Sequence, residues 1–191
     1  MNIVSIDFDI IMAPSIELYN SFERPPFYEN YYTNLFNADL SIYSKITDWL
    51  IKWIPTLNSS DINFIESHEQ IIDFIPKNES VSLFNIDHHH DLGYGPPEKL
   101  ENSSLILDCG NWGLYSLKSN LIQDYTWIKN NNSRRTNYNK YHFNSKNFSD
   151  FNLDELKPDK IIICLSAPWV PQQYHTLFNL WIKLAGRLHD T

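Results

Sequence analysis

Five short apolar runs, at residues 3–8, 62–65, 81–86, 105–107 and 161–165, each stop abruptly at polar or charged residues. Runs of this length, bounded on both sides, read as buried strands. Between two of them, Leu40, Tyr43, Ile46, Trp49, Leu50 and Trp53 recur at helical spacing, with Asp39 placed to cap the segment and Pro55 to end it. Strands alternating with helices imply an α/β fold on a mostly parallel sheet. In such a sheet, ligands bind outside the carboxyl ends of the strands, where loops bring side chains from several strands together. The strand-end residues therefore carry the functional reading: Asp7 and Asp9, Glu66-Ser67-His68, and residues 87–91, 108–112 and 166–169. Residues 130–147 are asparagine-rich and lack periodicity, which suits a long loop, an irregular pair of strands or a flap beside the substrate.

A chain of 191 residues that is 42% hydrophobic and 15% aromatic suits one domain with a sizeable core. No repeat and no shift in composition divides it, so residues 1–191 read as a single domain. The formal charge of -8 argues against nucleic acid as a partner and favours a cationic small molecule or peptide. Cys109 and Cys164 are too few for a disulfide framework and too far apart for a Cys-x-x-Cys knuckle, which fits a reducing cytoplasm. The opening MNIVSIDFDI carries carboxylates inside its apolar run and reads as neither a signal peptide nor a membrane span.

The strongest local signal is Asp87-His88-His89-His90-Asp91, directly after an apolar run. Carboxylate oxygens mixed with imidazole nitrogens suit Mn²⁺, Fe²⁺, Co²⁺ or Zn²⁺, whereas a plain solvated loop gives no reason for charge to gather at the end of a buried strand. A second signal is Asp7-Phe8-Asp9, two carboxylates that alternation puts on one face if the strand stays regular and that diverge into solvent if it ends at Asp7. Like charges so close call for a cation between them. His68, at the start of a helical stripe of Ile71, Ile72, Phe74 and Ile75, reads by itself as an ordinary helix-start histidine; its neighbours make it a third element of the same set.

Asp87-x-His89-x-Asp91 resembles the Asp-x-His-x-Asp metal box of the arginase and agmatinase superfamily, Ser5-x-Asp7-x-Asp9 its Ser-x-Asp-x-Asp box, and Glu66-Ser67-His68 its strand-end histidine box. With Cys109-Gly110-Asn111-Trp112 and Ala167-Pro168-Trp169, the chain is similar to an arginase-like group that includes peptide arginases, which convert arginine side chains of ribosomally made precursor peptides into ornithine. The resemblance implies a three-layer arginase/deacetylase-like domain holding two Mn²⁺ or other divalent ions. It makes Asp7 and Asp87 bridging carboxylates, with His68 and Asp91 completing one site and His89 and Asp9 the other. A hydroxide shared by the two metals would attack the guanidinium carbon and release urea.

Three features depart from the family pattern. The Asp7/Asp9 box precedes the Asp87–Asp91 box instead of following it, which calls for a rearranged strand order. The segment Cys109-Gly110-Asn111-Trp112-Gly113 lacks the proton-moving histidine of arginases, and no late glutamate follows residues 161–165 to clasp the guanidinium. For those roles the chain offers His88 or His90 as proton shuttle or ligand support, and Asp108 as a guanidinium partner or a turn cap. Asn111, Trp112 and Trp169 are the substrate-binding candidates, the tryptophans as walls for a cation or as core residues. Two other readings stand beside this one. An Asp-His-His manganese phosphoesterase would use Asp7, Asp9, Asp87, His88 and His89, and a non-catalytic metal-binding protein would use the ligands alone.

The expected substrate is an arginine-containing precursor peptide. No set of charged donors suited to a free α-amino acid stands out, Arg134 and Arg135 lying in the asparagine-rich segment. The stretch of Tyr19, Phe22, Pro25, Pro26, Phe27, Tyr28, Tyr31 and Tyr32 offers aromatic area for a passing backbone, or simply packs over the sheet.

Overall fold

The computed structural model describes residues 1–14, 36–93, 106–131, 133, 143–167 and 169–189. The aromatic stretch from Tyr19 to Tyr32, Leu105, Asn132, Arg134, Arg135, Asn137, Asn139 and Pro168 lie outside them. The main sheet contains β1 (Asn2–Asp7), β4 (Ile62–Ile65), β5 (Ser82–Asp87), β6 (Asp124–Lys129), β7 (Asn144–Asn147) and β8 (Lys160–Cys164). Their order is β4-β8-β1-β5-β6-β7 with every neighbouring pair parallel, so the last strand in sequence lies beside the first. This is the mostly parallel, non-sequential sheet that the alternating pattern and the box order call for. A small antiparallel pair, β2 (Met12–Pro14) and β3 (Phe36–Ala38), stands apart from it.

Strand alternation splits the core into two layers, one on each face. Val4, Ile6, Ile86, Ile161 and Ile163 pack with α1 (Leu40–Trp53) and α3 (His175–His189), while Ile3, Leu83, Ile162 and Cys164 pack with the 3-10 helix His68–Phe74 and α2 (Trp112–Lys118). On the first face Tyr43 stacks on Trp181 at 5.0 Å, and the Trp181 indole donates to Thr47 Oγ1 at 2.8 Å.

Helix α1 forms where its pattern and cap place it. Asp39 Oδ1 accepts from the backbone of Ser41 at 2.9 Å and Ile42 at 3.3 Å, and Pro55, with no N–H to donate, lies in the tight turn that ends the helix. The buried stripe is Ile42, Ile46, Trp49 and Leu50; Leu40, in the first turn, is 61% exposed.

The run at 105–107 is where the strand reading departs from the structure, because Ile106 and Leu107 lie outside any strand and Ile106 is 85% exposed. The Asn111 side chain accepts from Asp108 N at 3.0 Å and donates to Ile106 O at 2.8 Å. Backbone groups that a strand would pair are thereby drawn into a turn. Among the described residues no helix is long and apolar enough to cross a membrane.

Candidate metal centre

Strands β1 and β5 run side by side, with Ser5 in register with Asn85. Each presents to the α2 face an apolar residue, then an uncharged polar one, then a carboxylate: Ile3, Ser5, Asp7 and Leu83, Asn85, Asp87. Both polar pairs, Ser5/Asn85 and Asp7/Asp87, are buried. Strand β1 ends at Asp7, whose Oδ1 accepts from Asp9 N at 3.1 Å and caps the 3-10 turn Phe8–Ile11. Asp9 therefore joins Asp7 through a turn, and both carboxylates stay inside the protein. Past β5 the chain bends: Asp87 Oδ1 accepts from His89 N at 2.7 Å, and Asp91 takes a left-handed backbone with φ of 47°. His68 opens the 3-10 helix after β4 and is buried.

Three carboxylates converge on one ring nitrogen. His68 Nδ1 lies 3.0 Å from Asp7 Oδ2, 3.3 Å from Asp87 Oδ2 and 3.0 Å from Asp91 Oδ2, yet it is shut off from solvent and makes no well-directed hydrogen bond. His89 Nδ1 lies 2.8 Å from Asp9 Oδ2 and 3.8 Å from Asp87 Oδ1. Two groups result, Asp7-His68-Asp87 and Asp9-Asp87-His89, each offering ligand atoms within 4.8 Å of one another. Asp87 belongs to both, one oxygen facing each histidine. A buried nitrogen encircled by carboxylates, with further imidazole and carboxylate donors alongside, fits a metal ion, since one proton cannot answer three acceptors.

The electrostatics follow from crowding acids away from water. Burial raises Asp87 to about 7, with the charges of Asp91 and Asp7 adding to it, and burial likewise raises Asp9, partly offset by His89. Burial pulls both histidine rings down, but the acids outweigh it: Asp7, Asp87 and Asp91 hold His68 well above the usual histidine range, and Asp9 chiefly lifts His89 to about 10. Protons on these groups occupy the place of a cation, and a metal ion would displace them.

Further side chains orient the cluster. Ser5 Oγ lies 2.7 Å from His68 Nε2, Ser166 Oγ donates to Asp7 Oδ2 at 2.5 Å, and the Trp112 indole donates to Asp91 Oδ2 at 2.6 Å. Asn85 Nδ2 donates to Asp87 Oδ2 and to the Tyr125 hydroxyl, which donates in turn to His90 O at 2.8 Å. Trp127 Nε1 holds Asp87 O at 3.0 Å. Ser166, like Asp91, has a left-handed backbone, with φ of 49°; a non-glycine residue in that conformation is uncommon, and both sit at this cluster. The sequence places Ser5 in a box and Ser166 at a strand end without a task for either, and it does not single out Asn85, Tyr125 or Trp127. Period-two alternation back from Asp7 and Asp87 was a usable signal for Ser5 and Asn85.

The structure thus brings Asp7, Asp9, His68, Asp87, His89 and Asp91 together and spreads the remaining candidates around them. His88 stacks edge-on against His89 at 5.2 Å, and burial, then the charge of His89, lowers it to about 3, so its ring stays neutral at neutral pH. His90 lies buried against Trp127, its Nδ1 accepting from Leu92 N at 3.1 Å, which ties it to the turn at 90–92. Asp108 is exposed and its Oδ1 accepts from Gly110 N at 2.8 Å, the turn-cap alternative; the Asn111 amide is engaged in the same turn. Trp112 is fully buried beneath the cluster, its ring 4.7 Å from His68. Trp169 is half-buried, 5.3 Å from the His89 ring. No family model, curated protein or solved structure matches the chain.

Proposed function

We propose that the protein is a metal-dependent hydrolase acting on arginine side chains within a peptide, releasing urea and leaving ornithine, with a pair of Mn²⁺ or similar divalent ions as cofactor. The observation that carries this reading is Asp87, whose two carboxylate oxygens face two different Asp/His groups. Asp7, His68, Asp87 and Asp91 would hold one ion, and Asp9, Asp87 and His89 the other; Asp87 would bridge them, whereas Asp7, the other carboxylate expected to bridge, turns Oδ2 to His68 and Oδ1 to Asp9 N. When bound, such ions supply the Lewis acidity that activates water at neutral pH.

The chain's own contribution is to hold four buried carboxylates aimed at one place before substrate arrives, so that little reorganisation is left for the reaction. The formal charge of -8 on the whole chain draws a guanidinium rather than an anion. The His68 side is closed, whereas the His89 ring is 32% exposed beside Trp169, so substrate reaches the cluster at that edge. An indole face next to buried acids suits a planar cation. Water adds to the guanidinium carbon and the bond to the side-chain nitrogen breaks: guanidinium and water become urea and a protonated primary amine. An Asp-His-His phosphoesterase would leave His68 and Asp91 without a task although both stand in the cluster.

The test is metal analysis of purified protein, then urea measurement with free arginine, agmatine and arginine-containing peptides. Peptide turnover should appear in the mass spectrum as loss of one CH₂N₂ per modified arginine. Metal uptake with urea from none of the three would replace this reading by a non-catalytic metal-binding protein, and a strong preference for free arginine would remove the peptide from it.

A further inference from the structure

We infer that Trp112 and Gly113 are positioning residues that lock Asp91 into the conformation in which it reaches His68. The inference rests on the proposed ion at Asp7, His68, Asp87 and Asp91. Asp91 departs from ordinary backbone geometry, with φ of 47°, and something must hold it there. The first residues of α2 hold it at both ends. The Trp112 indole donates to Asp91 Oδ2 at 2.6 Å, while Asp91 O accepts from Gly113 N at 3.0 Å and from Leu114 N at 3.4 Å. A second tie runs from Gly93 N to Gly110 O at 2.9 Å, so the turn after Asp91 and the turn before α2 close on each other.

Gly113 is what lets α2 come this near. A Cβ there would stand 3.0 Å from Asp91 O, 3.1 Å from Tyr125 Cε2 and 3.2 Å from Leu92 Cδ2, tight contacts on three sides that require Asp91 and its neighbours to give by a few tenths of an ångström. Trp112 meanwhile touches two ligands of the same group, bonding Asp91 and packing its ring 4.7 Å from His68. Its hydrogen bond is charge-assisted and fully buried, so it fixes which way the Asp91 carboxylate turns among its like-charged neighbours. Core packing alone would call for the ring and not for the N–H.

Trp181 provides the comparison. It is equally buried, and its indole also donates a hydrogen bond at 2.8 Å, but to Thr47 on the opposite face of the sheet. Trp112→Phe and Trp181→Phe both keep an aromatic ring and lose an indole donor, and both should melt earlier than wild type. Titration with Mn²⁺ alone, read by the electron paramagnetic resonance of free Mn²⁺, should separate them: about 10- to 100-fold weaker binding for Trp112→Phe and unchanged binding for Trp181→Phe. Gly113→Ala should weaken binding as well, through the shift it forces on Asp91, although it replaces none of the proposed ligands. Where Trp112→Phe does not fold, the wild-type protein decides. On addition of diamagnetic Zn²⁺ the Trp112 indole N–H resonance should shift and that of Trp181 should not, and an unmoved Trp112 resonance would overturn the inference. A folded Trp112→Phe protein with wild-type Mn²⁺ affinity would overturn only the role of Trp112, whereas wild-type protein that takes up no Mn²⁺ would remove the metal site itself.

Discussion

The two faces of the sheet are built from the same strands and do different work. Facing α1 and α3, β1 and β5 present Val4, Ile6, Phe84 and Ile86, all apolar, under a layer anchored by Phe8, Phe178 and Trp181. Facing α2, the same strands present Ile3 and Leu83 at their start, then Ser5 and Asn85, then Asp7 and Asp87. Burying those polar groups costs free energy that only hydrogen bonds and a counter-charge recover. The contrast teaches that stability is concentrated on one face, and that the other gives some of it up to aim charge at the strand ends.

The largest expected effect comes from removing the residue that both groups share. Asp87→Asn should abolish activity and weaken metal binding by more than the roughly 10- to 100-fold that follows loss of an outer partner. The metal-free variant should melt no lower than metal-free wild type, because a buried like charge is gone; metal analysis and thermal melts check both halves. The opposite face is tested by Trp181→Ala, which should cost about 3–5 kcal/mol of stability through the cavity it leaves, while the folded fraction binds Mn²⁺ as wild type does. If Trp181→Ala lowered Mn²⁺ affinity as well, the two faces would not be separable.

Protonation sharpens the contrast. Asp87, Asp9, His68 and His89 all hold protons more tightly in the metal-free folded chain than in the unfolded chain. The folded state therefore binds more protons, and metal-free stability falls as pH rises, through Asp87 between the ordinary aspartate range and about 7, and through His89 between the ordinary histidine range and about 10. His88 slopes the other way, but only between about 3 and the ordinary histidine range. Metal takes the protons' place, so the stabilisation given by Mn²⁺ should grow from about pH 6 to about pH 8. At a hundredfold excess over Kd it should reach about 2.7 kcal/mol, or roughly 5–11 °C for a chain of this size. A shift in melting temperature that shrinks over that range would contradict the assignment of these groups as ligands. The smallest effect belongs to Trp169→Ala, which removes a half-exposed ring beside His89. KM for the peptide should rise by about 2- to 30-fold, the size of a cation–π contact of roughly 0.5–2 kcal/mol, with metal content unchanged.

What could be read from the sequence was local. A charge that ends an apolar run is visible in a window of a few residues, and that was enough to find Asp7, Asp9, Asp87, His89 and Asp91, as well as α1 with its cap at Asp39. What could not be read depends on which distant segment arrives. The Ser166 bond to Asp7 spans nearly the whole chain, and it exists because β8, last in sequence, inserts beside β1. Trp112 reads as a core residue or a pocket wall, and only the close approach of α2 to Asp91 turns its N–H onto that carboxylate. The run at 105–107 has strand composition, but Asn111 captures its backbone, a local polar side chain winning over propensity. His88 and His90 flank His89 in sequence, and the bend after Asp87 separates their surroundings.

The central claim is that Asp87 stands between two ions, and anomalous X-ray scattering from crystals grown with Mn²⁺ tests it most directly. Two peaks about 3.5–4 Å apart are expected, one against His68 and Asp91 and one against His89 and Asp9, with Asp87 touching both. A fully Mn²⁺-saturated crystal showing no peak at Asp87, or a single peak that leaves either histidine unbound, would contradict it.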